Sequence, residues 1–265
     1  MYRFALYTLT IIIVGVFIVP FFYTISPYEL DPSQILQSPS WGHIMGTDRL
    51  GRDMFARILE GGKTSLFIGF LSATIASFVG VIVGVSAGYF QKKVDMSITI
   101  IIDLFLTFPT FFLLLTLVSY IEADIFVLIV VLSITSWMGM ARMIRSESFA
   151  ITTKPYIKIL NLAKVNKLKI IIKYFAPLLT PIFLISFTFG VSGAILAESG
   201  LSFLGLGINP PQISWGSLLS DGKEVIQIAW WVSFFPGLFI FFITFSLMQI
   251  ADKLQQKANE KDSNF

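Results

Sequence analysis

Apolar residues occur in long runs along this chain, and polar residues are concentrated in the segments between them. Each run approaches the roughly 20 residues that a helix needs to cross the hydrocarbon core of a bilayer. Because unpaired backbone groups are costly in lipid, helices are the expected form of these runs. The pattern predicts an all-α polytopic membrane protein with about six transmembrane helices, near 5–23, 66–90, 98–120, 125–144, 177–197 and 230–250.

The N-terminal run, within residues 1–24, occupies the position of a signal peptide. Pro20 and Tyr23 bound its end without a small-residue cleavage site, so we expect a retained transmembrane helix. Residues 25–65 then form an extracytoplasmic loop. Its last part separates apolar from charged side chains, which predicts a short interfacial helix lying flat at the membrane surface. The apolar side carries Leu50, Met54, Phe55, Ile58 and Leu59, and the charged side carries Arg52, Asp53 and Arg57.

Small residues and prolines recur inside the predicted spans. Gly80, Gly84 and Gly88 are spaced by four residues, which allows close approach of a neighbouring helix backbone. Pro109, Pro181 and the pair Pro236–Gly237 are expected to kink their helices. We favour helix packing over a direct role in a conduction pathway for all of these residues.

Composition supports lipid as the solvent for much of the chain, since 55% of the 265 residues are hydrophobic and only 13% are charged. The absence of cysteine excludes disulfides, thiolate metal sites and cysteine nucleophiles. His43 is the single histidine, so multi-histidine metal sites and histidine-based triads are excluded as well. No metal site, catalytic site or nucleic-acid partner is expected.

Basic residues are distributed unequally between the two sides of the predicted membrane. With both termini inside, 14 of the 19 lysines and arginines lie on the cytoplasmic side, eight of them in a loop at 145–176 and its edges. The positive-inside rule therefore places both termini, this loop and a tail at 254–265 in the cytoplasm. The first extracytoplasmic loop is long and is the weakest part of this count.

Two carboxylates fall within or at the ends of predicted spans. Asp103 lies in the first turns of the third span, where the helix dipole favours an anion, and we favour a structural role for it. Glu198 lies at the outer end of the fifth span. Capping of a re-entrant turn and exposure to a cavity are equally compatible with its position.

The segment 195–222 is apolar but rich in glycine and proline, so it cannot form one continuous helix. Non-helical backbone near membrane depth is tolerated where it is buried in protein or lines a cavity. This segment is the best candidate for the outer mouth of a solute path. The candidate path residues are Asp103, Glu198, Ser202 and Asn209.

The run Gly61, Gly62, Lys63 and Thr64 matches only the end of a phosphate-binding loop. Arg57 occupies the position of the required first glycine, and the run follows a helical rather than a strand pattern. We therefore expect no nucleotide site in this chain.

Residues 155–163, within the basic loop, predict a short helix with almost no polar face. Lys158 and Asn161 are its only polar side chains, and they lie about 60° apart around the helix. A helix this apolar must dock either into a groove on a partner or in the lipid headgroups, where the lysines at 164–173 would hold it on anionic lipid.

Several motifs resemble one permease type of the peptide/nickel ABC importers. They are GTDRLGRD at 46–53, ILAE at 195–198, SFLGLG at 202–207, Pro210 with Pro211, and SWG at 214–216. The match runs in order from about residue 42 to residue 253. The resemblance implies a type I importer permease fold, whose transmembrane domain would cover 66–253.

The resemblance also implies function and partners. The chain would be a permease of the bacterial inner membrane, importing dipeptides, oligopeptides or nickel chelates by alternating access. It would pair with a second permease and with two cytoplasmic ATPase subunits that hold ATP and Mg²⁺, and an extracytoplasmic solute-binding protein would deliver the solute. The chain itself would bind no cofactor and would not be an enzyme. The alternative class is an ion-coupled secondary transporter or channel, which usually shows related halves and charges near the midplane.

The family carries a motif of the form E-A-A-x-x-x-G on a coupling helix that docks on an ATPase. Here Lys158, Ile159 and Leu160 occupy the E-A-A positions, and Lys164 replaces the glycine. The coupling-helix residues are thus expected to be Pro155, Tyr156, Ile157, Lys158, Ile159, Leu160, Leu162, Ala163 and Lys164. Because a left-handed conformation costs lysine about 1–2 kcal/mol, we expect a straighter connection, or Asn166 in the turn.

Overall fold

The computed structural model describes residues 1–121 and 124–262. Five helical stretches in this part of the chain are long and apolar enough to cross a membrane, and a sixth candidate is a bent pair of helices. The prediction of an all-α protein with about six membrane spans is confirmed. The last three residues of the expected tail 254–265 lie outside the described residues. The α-helices of the described residues are α1 Tyr2–Ile18, α2 Met54–Phe90, α3 Lys92–Leu106, α4 Thr110–Ser119, α5 Ile125–Thr153, α6 Pro155–Leu162, α7 Lys167–Ile170, α8 Ala176–Phe203, α9 Trp215–Lys223 and α10 Trp231–Asp262.

Helix α2 packs closely along α5, and the regularly spaced glycines lie at this contact. A Cβ atom on Gly80 would come within 2.7 Å of Met140 Cβ. A Cβ on Gly84 would come within 2.6 Å of the carbonyl oxygen of Ala141. On Gly88 it would meet Ser148 Cβ at 2.5 Å. Backbone and side-chain atoms of α5 therefore occupy the space that the glycines leave free.

The third predicted span, 98–120, is not one helix. Helices α3 and α4 are separated by three residues and bent by 78° relative to each other. Pro109 lies directly before α4, as its N-cap residue. Proline lacks an N–H group and disfavours helical backbone at the preceding residue, so it is tolerated at the start of a helix and can break one in its interior. The expected kink is therefore a complete break.

The prediction of a separate interfacial helix within residues 25–65 is also wrong, because α2 continues without interruption from Met54 into the second span. Met54, Ile58 and Leu59 are buried in the protein rather than placed on a membrane surface. Asp53 caps the helix by accepting a hydrogen bond from the Ala56 N–H at 2.8 Å. An amphipathic pattern that suits an interface equally suits the buried first turns of a long helix.

The sequence Gly61–Thr64 is part of α2 and does not form a loop. A Cβ on Gly62 would meet Trp215 at 2.8 Å, so the glycine is needed for packing against α9. Trp215 is fully buried, and its indole N–H donates to the carbonyl of Ile58 at 2.9 Å. This contact fixes α9 beside the beginning of α2.

The helix bundle has two ends, which we name after the short helices that lie there. The α9 end contains the beginning of α2, the end of α8, and α9 itself. The α6 end contains the other terminus of α2, where the Tyr89 hydroxyl donates to Asn161 Oδ1 of α6 at 2.8 Å. A helix of 37 residues separates these ends by about 55 Å.

Candidate functional sites at the two ends of the bundle

Glu198 lies at the α9 end and is fully buried in the last turns of α8. The Ser202 hydroxyl donates to Glu198 Oε1 at 2.7 Å, and the Ser65 hydroxyl of α2 donates to Oε2 at 3.3 Å. Ser65 Oγ in turn accepts a hydrogen bond from the backbone N–H of Trp215 at 3.0 Å. One carboxylate thus connects α8 to α2 and, through Ser65, to the first residue of α9.

Ser214 completes the surroundings of this carboxylate. Its hydroxyl bonds to Glu198 while also accepting the backbone N–H of Ser217 at 3.0 Å, which caps α9. The positive end of the α9 dipole and four serine hydroxyls, with Ser199 the fourth, replace the water that a buried carboxylate loses. Glu198 thus lies at a buried junction of α2, α8 and α9.

The chain leaves the bundle core after α8 and returns at α9, and this connection forms one wall of a cavity of about 630 Å³. Ser202 and Asn209 both line the cavity, as do Pro210 and Pro211. The structure therefore brings two of the four candidate path residues to one cavity, with Glu198 directly beneath Ser202. Non-helical backbone in this segment lines a cavity, as its composition indicated.

The opposite wall of the cavity carries arginines that sequence reasoning did not single out as a cluster. Arg57 is only 4% exposed, and its Nη2 lies 3.3 Å from Asp221 Oδ2 of α9. Arg49 and Arg52 also approach Asp221, at 3.5 and 3.8 Å. The sequence signals were the charged side of the amphipathic pattern and the motif at 46–53, but neither indicated Asp221, which lies more than 160 residues away.

Asp48 holds the turn that presents these arginines. Its Oδ1 accepts the backbone N–H groups of Leu50 and Arg52 at 2.8 and 3.0 Å. Its Oδ2 accepts Arg52 Nε at 2.7 Å. Gly51 has a φ of +74°, and a Cβ there would lie 1.8 Å from the carbonyl oxygen of Asp31, so no other residue fits.

A second network stabilises the start of α2 beside this turn. The Nδ1 atom of His43 lies 2.8 Å from Asp53 Oδ2, and the Tyr23 hydroxyl donates to the same oxygen at 3.1 Å. Burial and the neighbouring Asp53 carboxylate raise the pKa of the Tyr23 hydroxyl above its usual value, so it remains a donor. The segment before α2 is thereby attached to the helix.

Asp103 does not join the Glu198 cluster. It lies on α3, where its Oδ1 accepts Arg142 Nη2 of α5 at 2.6 Å. Both side chains are more than half exposed. The neighbouring pair Asp95–Arg145 makes a second α3–α5 contact, with Arg145 Nη2 at 2.7 Å from Asp95 Oδ2. This arrangement agrees with the structural role favoured for Asp103.

At the α6 end, α6 has one buried and one exposed face. Ile157 is fully buried among Ile151, Ile170 and Phe175. On the other face Ile159 and Leu162 are 64% and 82% exposed, and Tyr156 is exposed beside them. Asn161 points back to Tyr89, so one of the two polar side chains of this helix is engaged within the chain. An apolar surface is left open at this end.

The expectation for Lys164 is wrong, because its φ is +51° and it occupies the left-handed turn itself. Its N–H donates to the carbonyl of Asn161 at 3.1 Å, and the N–H of Val165 donates to that of Leu160 at 3.1 Å. These bonds form a Schellman motif, which satisfies carbonyls at the end of α6. Asn166 is not in the turn but caps α7, accepting the Leu168 N–H at 2.9 Å.

Comparisons with known proteins agree with this geometry. A family model described as "Binding-protein-dependent transport system inner membrane component" matches residues 80–260. The oligopeptide transport system permease protein OppC of Haemophilus influenzae is 31% identical over 260 residues, which cover 97% of this chain and 84% of that protein. The dipeptide transport system permease protein DppC of Bacillus subtilis is 34% identical over 258 residues, covering 93% and 81%.

Among solved structures, the inward-facing MetNI methionine ABC transporter contains a chain with the same fold. The TM-score is 0.62 at 16% identity, over 75% of this chain and 94% of that chain. The resemblance found in the motifs and the expected permease fold are both confirmed. This chain belongs to the family of binding-protein-dependent transport system inner membrane components, and it is a multi-pass permease subunit of an ABC importer.

Proposed function

We propose that this permease forms half of a pathway that imports peptides, driven by ATP hydrolysis on partner subunits. The names of its relatives support peptides as the solute class, since OppC and DppC are permease proteins of oligopeptide and dipeptide transport systems. Nickel chelates remain the second solute class that the family resemblance allows. In the complete importer, a second permease and two ATPase subunits carrying ATP and Mg²⁺ assemble with this chain, and a binding protein delivers solute.

The observation that carries the proposal is the open apolar face of α6. Ile159 and Leu162 are exposed although the helix is anchored by the buried Ile157. Exposed aliphatic side chains on a rigid, anchored helix are suited to a hydrophobic groove on a partner. We assign that groove to an ATPase subunit, so α6 acts as the coupling helix.

The proposal also fixes the orientation of the chain. The α6 end carries Lys154, Lys158, Lys164, Lys167 and Lys169, and the positive-inside rule assigns such an end to the cytoplasm. Both termini then lie in the cytoplasm, and the cavity at the α9 end opens to the exterior. The solute enters from the side that the binding protein occupies.

Transport follows from movement of rigid elements rather than from chemistry on the solute. ATP binding brings the two ATPase subunits together and shifts the docked α6. The anchor of α6 in the core formed by Ile151, Ile170 and Phe175 transmits this shift to α5 and α8. The packed α2–α5 pair then carries the motion towards the α9 end, and the pathway alternates between its two openings.

The test changes the open face of α6 without disturbing its anchor. Leu162→Asp and Ile159→Asp should abolish co-purification of the ATPase subunits and ATP-dependent peptide uptake, while the permease remains folded in the membrane. Leu160 is a poorer choice, because it is partly buried in the core around Ile157. Leu168→Asp is the matched control, since Leu168 is 63% exposed on α7 and should retain the complex.

Retention of the ATPase subunits by both α6 variants would contradict the assignment of the coupling helix. An ion-coupled transporter is not favoured by the family membership. Such a transporter would take up solute along an ion gradient without ATP, and uptake by the isolated permease in liposomes measures this.

A further inference from the structure

We propose that the cavity at the α9 end binds a carboxylate group of the transported peptide, with Arg49 as its principal contact. The inference rests on the proposed function, because it names the chemistry by which the outer cavity recognises the solute. It concerns the wall formed by Arg49, Arg52, Arg57 and Asp221, which is separate from the ATPase-coupling helix.

The charges that line the cavity are mainly positive. Three arginines and one aspartate are the ionised side chains of the described residues that line it. Asp48 neutralises part of this charge from behind the wall, where it is only 2% exposed and holds Arg52 and Arg57. Arg49 is 43% exposed and Asp221 27%, so both are accessible from the cavity. Glu224 is not part of the lining, but its carboxylate forms an ion pair with Arg49 Nη1.

The contacts of Asp221 with the arginines are long, and of these three only the contact with Arg57 is a hydrogen bond. Its oxygens lie 3.3 Å from Arg57, 3.5 Å from Arg49 and 3.8 Å from Arg52. A charge-assisted hydrogen bond between a guanidinium and a carboxylate is about 2.7–2.9 Å long. In addition, the buried Arg57 Nε lies 3.3 Å from Asp48 Oδ2 but is not aligned for a hydrogen bond. Arg49 Nη1 donates to Glu224 and Arg52 Nε to Asp48, so the donors left for a further carboxylate are the remaining N–H groups of Arg49 and Arg52.

The remaining walls suit a short peptide. The volume of about 630 Å³ lies within the range of roughly 300–1,000 Å³ found for small-ligand sites. Leu50, Ile208 and Ile213 supply apolar surface, and the side chain of Asn209 is also at the wall. A planar guanidinium binds a carboxylate with two parallel hydrogen bonds, which gives the site directional selectivity for a peptide terminus or an acidic side chain.

The test compares two forms of one tripeptide, the free acid and its C-terminal amide. The complete importer, with its partner permease, ATPases and binding protein, is reconstituted in liposomes, and ATP-dependent uptake of each form is measured. Any discrimination between the two forms by the binding protein is the same for a variant and for the wild type. The measured quantity is therefore the free-acid to amide uptake ratio of a variant divided by the same ratio for the wild type, in which the binding-protein contribution cancels.

Arg49→Ala should lower this normalised ratio about fivefold, the size expected for one partly exposed ion pair. Arg49→Lys retains the charge but not the paired donors, so it should lie between Ala and the wild type. Lys63→Ala is the matched control, because Lys63 is a basic residue of α2 that pairs with Glu60 at 2.8 Å and does not line this cavity. Its normalised ratio should stay at one.

An unchanged ratio for Arg49→Ala, with both forms still imported, would overturn the site. Equal loss of both forms would also overturn it, because it would assign Arg49 to docking of the binding protein or to folding. Failure of the wild-type importer to take up either form with ATP would instead contradict the proposed function. The two proposals can therefore fail separately.

Discussion

The backbone N–H of Val165 donates to the carbonyl of Leu160 at 3.1 Å, and Lys164 lies in the left-handed turn between them. Both Leu160 and Val165 pack against the core that contains Ile157. The hydrogen bonds and this apolar contact together offset the cost of about 1–2 kcal/mol for a left-handed lysine. Helix α6 therefore ends in the geometry that a glycine would favour, although the residue is lysine.

Replacement of Lys164 by glycine should stabilise the protein slightly. Removal of the left-handed strain gains about 1–2 kcal/mol, while the greater freedom of glycine in the unfolded chain costs about 0.5–1 kcal/mol. The expected net effect is a gain between zero and about 1.5 kcal/mol, measured as a small rise in the thermal unfolding temperature in detergent. Lys158→Gly, in the middle of the same helix, should instead lose about 1 kcal/mol. A lower unfolding temperature for Lys164→Gly would contradict the turn described here.

The α2–α5 contact makes a second prediction through Gly84. An added Cβ would lie 2.6 Å from the Ala141 carbonyl oxygen and 2.8 Å from Ile144 Cβ, so Gly84→Ala should force the helices apart. We expect a loss of about 1–3 kcal/mol. Gly139→Ala is the control, because a Cβ at Gly139 meets nothing within 4 Å and should leave stability unchanged or improved. Thermal unfolding followed by size-exclusion chromatography measures both, and equal stability of the two variants would refute the close contact.

How much of this fold was predictable depends on the range of the interactions involved. The membrane spans follow from local hydropathy, and the glycine spacing in α2 is visible in the sequence because one helix face repeats every four residues. Two features were not predicted: the left-handed turn at Lys164, and the start of α2 at Met54 ahead of the predicted span. Both depend on packing by Leu160, Val165 and Trp215. Residue propensity alone gives the opposite answer at those places.

The candidate site shows the same division. Glu198 was recognisable as an ionisable residue in an apolar segment, but its four serine partners come from three separated parts of the chain. The Arg49–Asp221 wall could not be foreseen, since the two residues are brought together only when α9 returns beside α2. The motifs at 46–53 and 214–216 lie in or beside these two segments, but they do not indicate that the segments contact each other.

Glu198 provides a prediction about buried polar groups. Glu198→Leu should destabilise the protein by about 3 kcal/mol, because the hydroxyls of Ser65 and Ser202 would lose their acceptor in a buried site. Glu198→Gln keeps the shape and one acceptor oxygen, so its loss should be smaller. Thermal unfolding of the three proteins gives the order wild type, Gln, Leu. Equal stability of the Leu variant and the wild type would mean that the carboxylate does not connect α2, α8 and α9.

The Asp103–Arg142 pair gives the final prediction, which separates a structural role from a place in the solute path. Both side chains are more than half exposed, so the pair should contribute less than about 1 kcal/mol to stability. If it joins α3 to α5, the exchange Asp103→Arg with Arg142→Asp should restore the peptide uptake that either single change reduces, because the opposite charges face each other again. A double-mutant cycle on uptake and on unfolding temperature measures this coupling. Failure of the exchange to restore uptake, with unfolding temperatures unchanged, would instead show that the solute requires the carboxylate at position 103 itself.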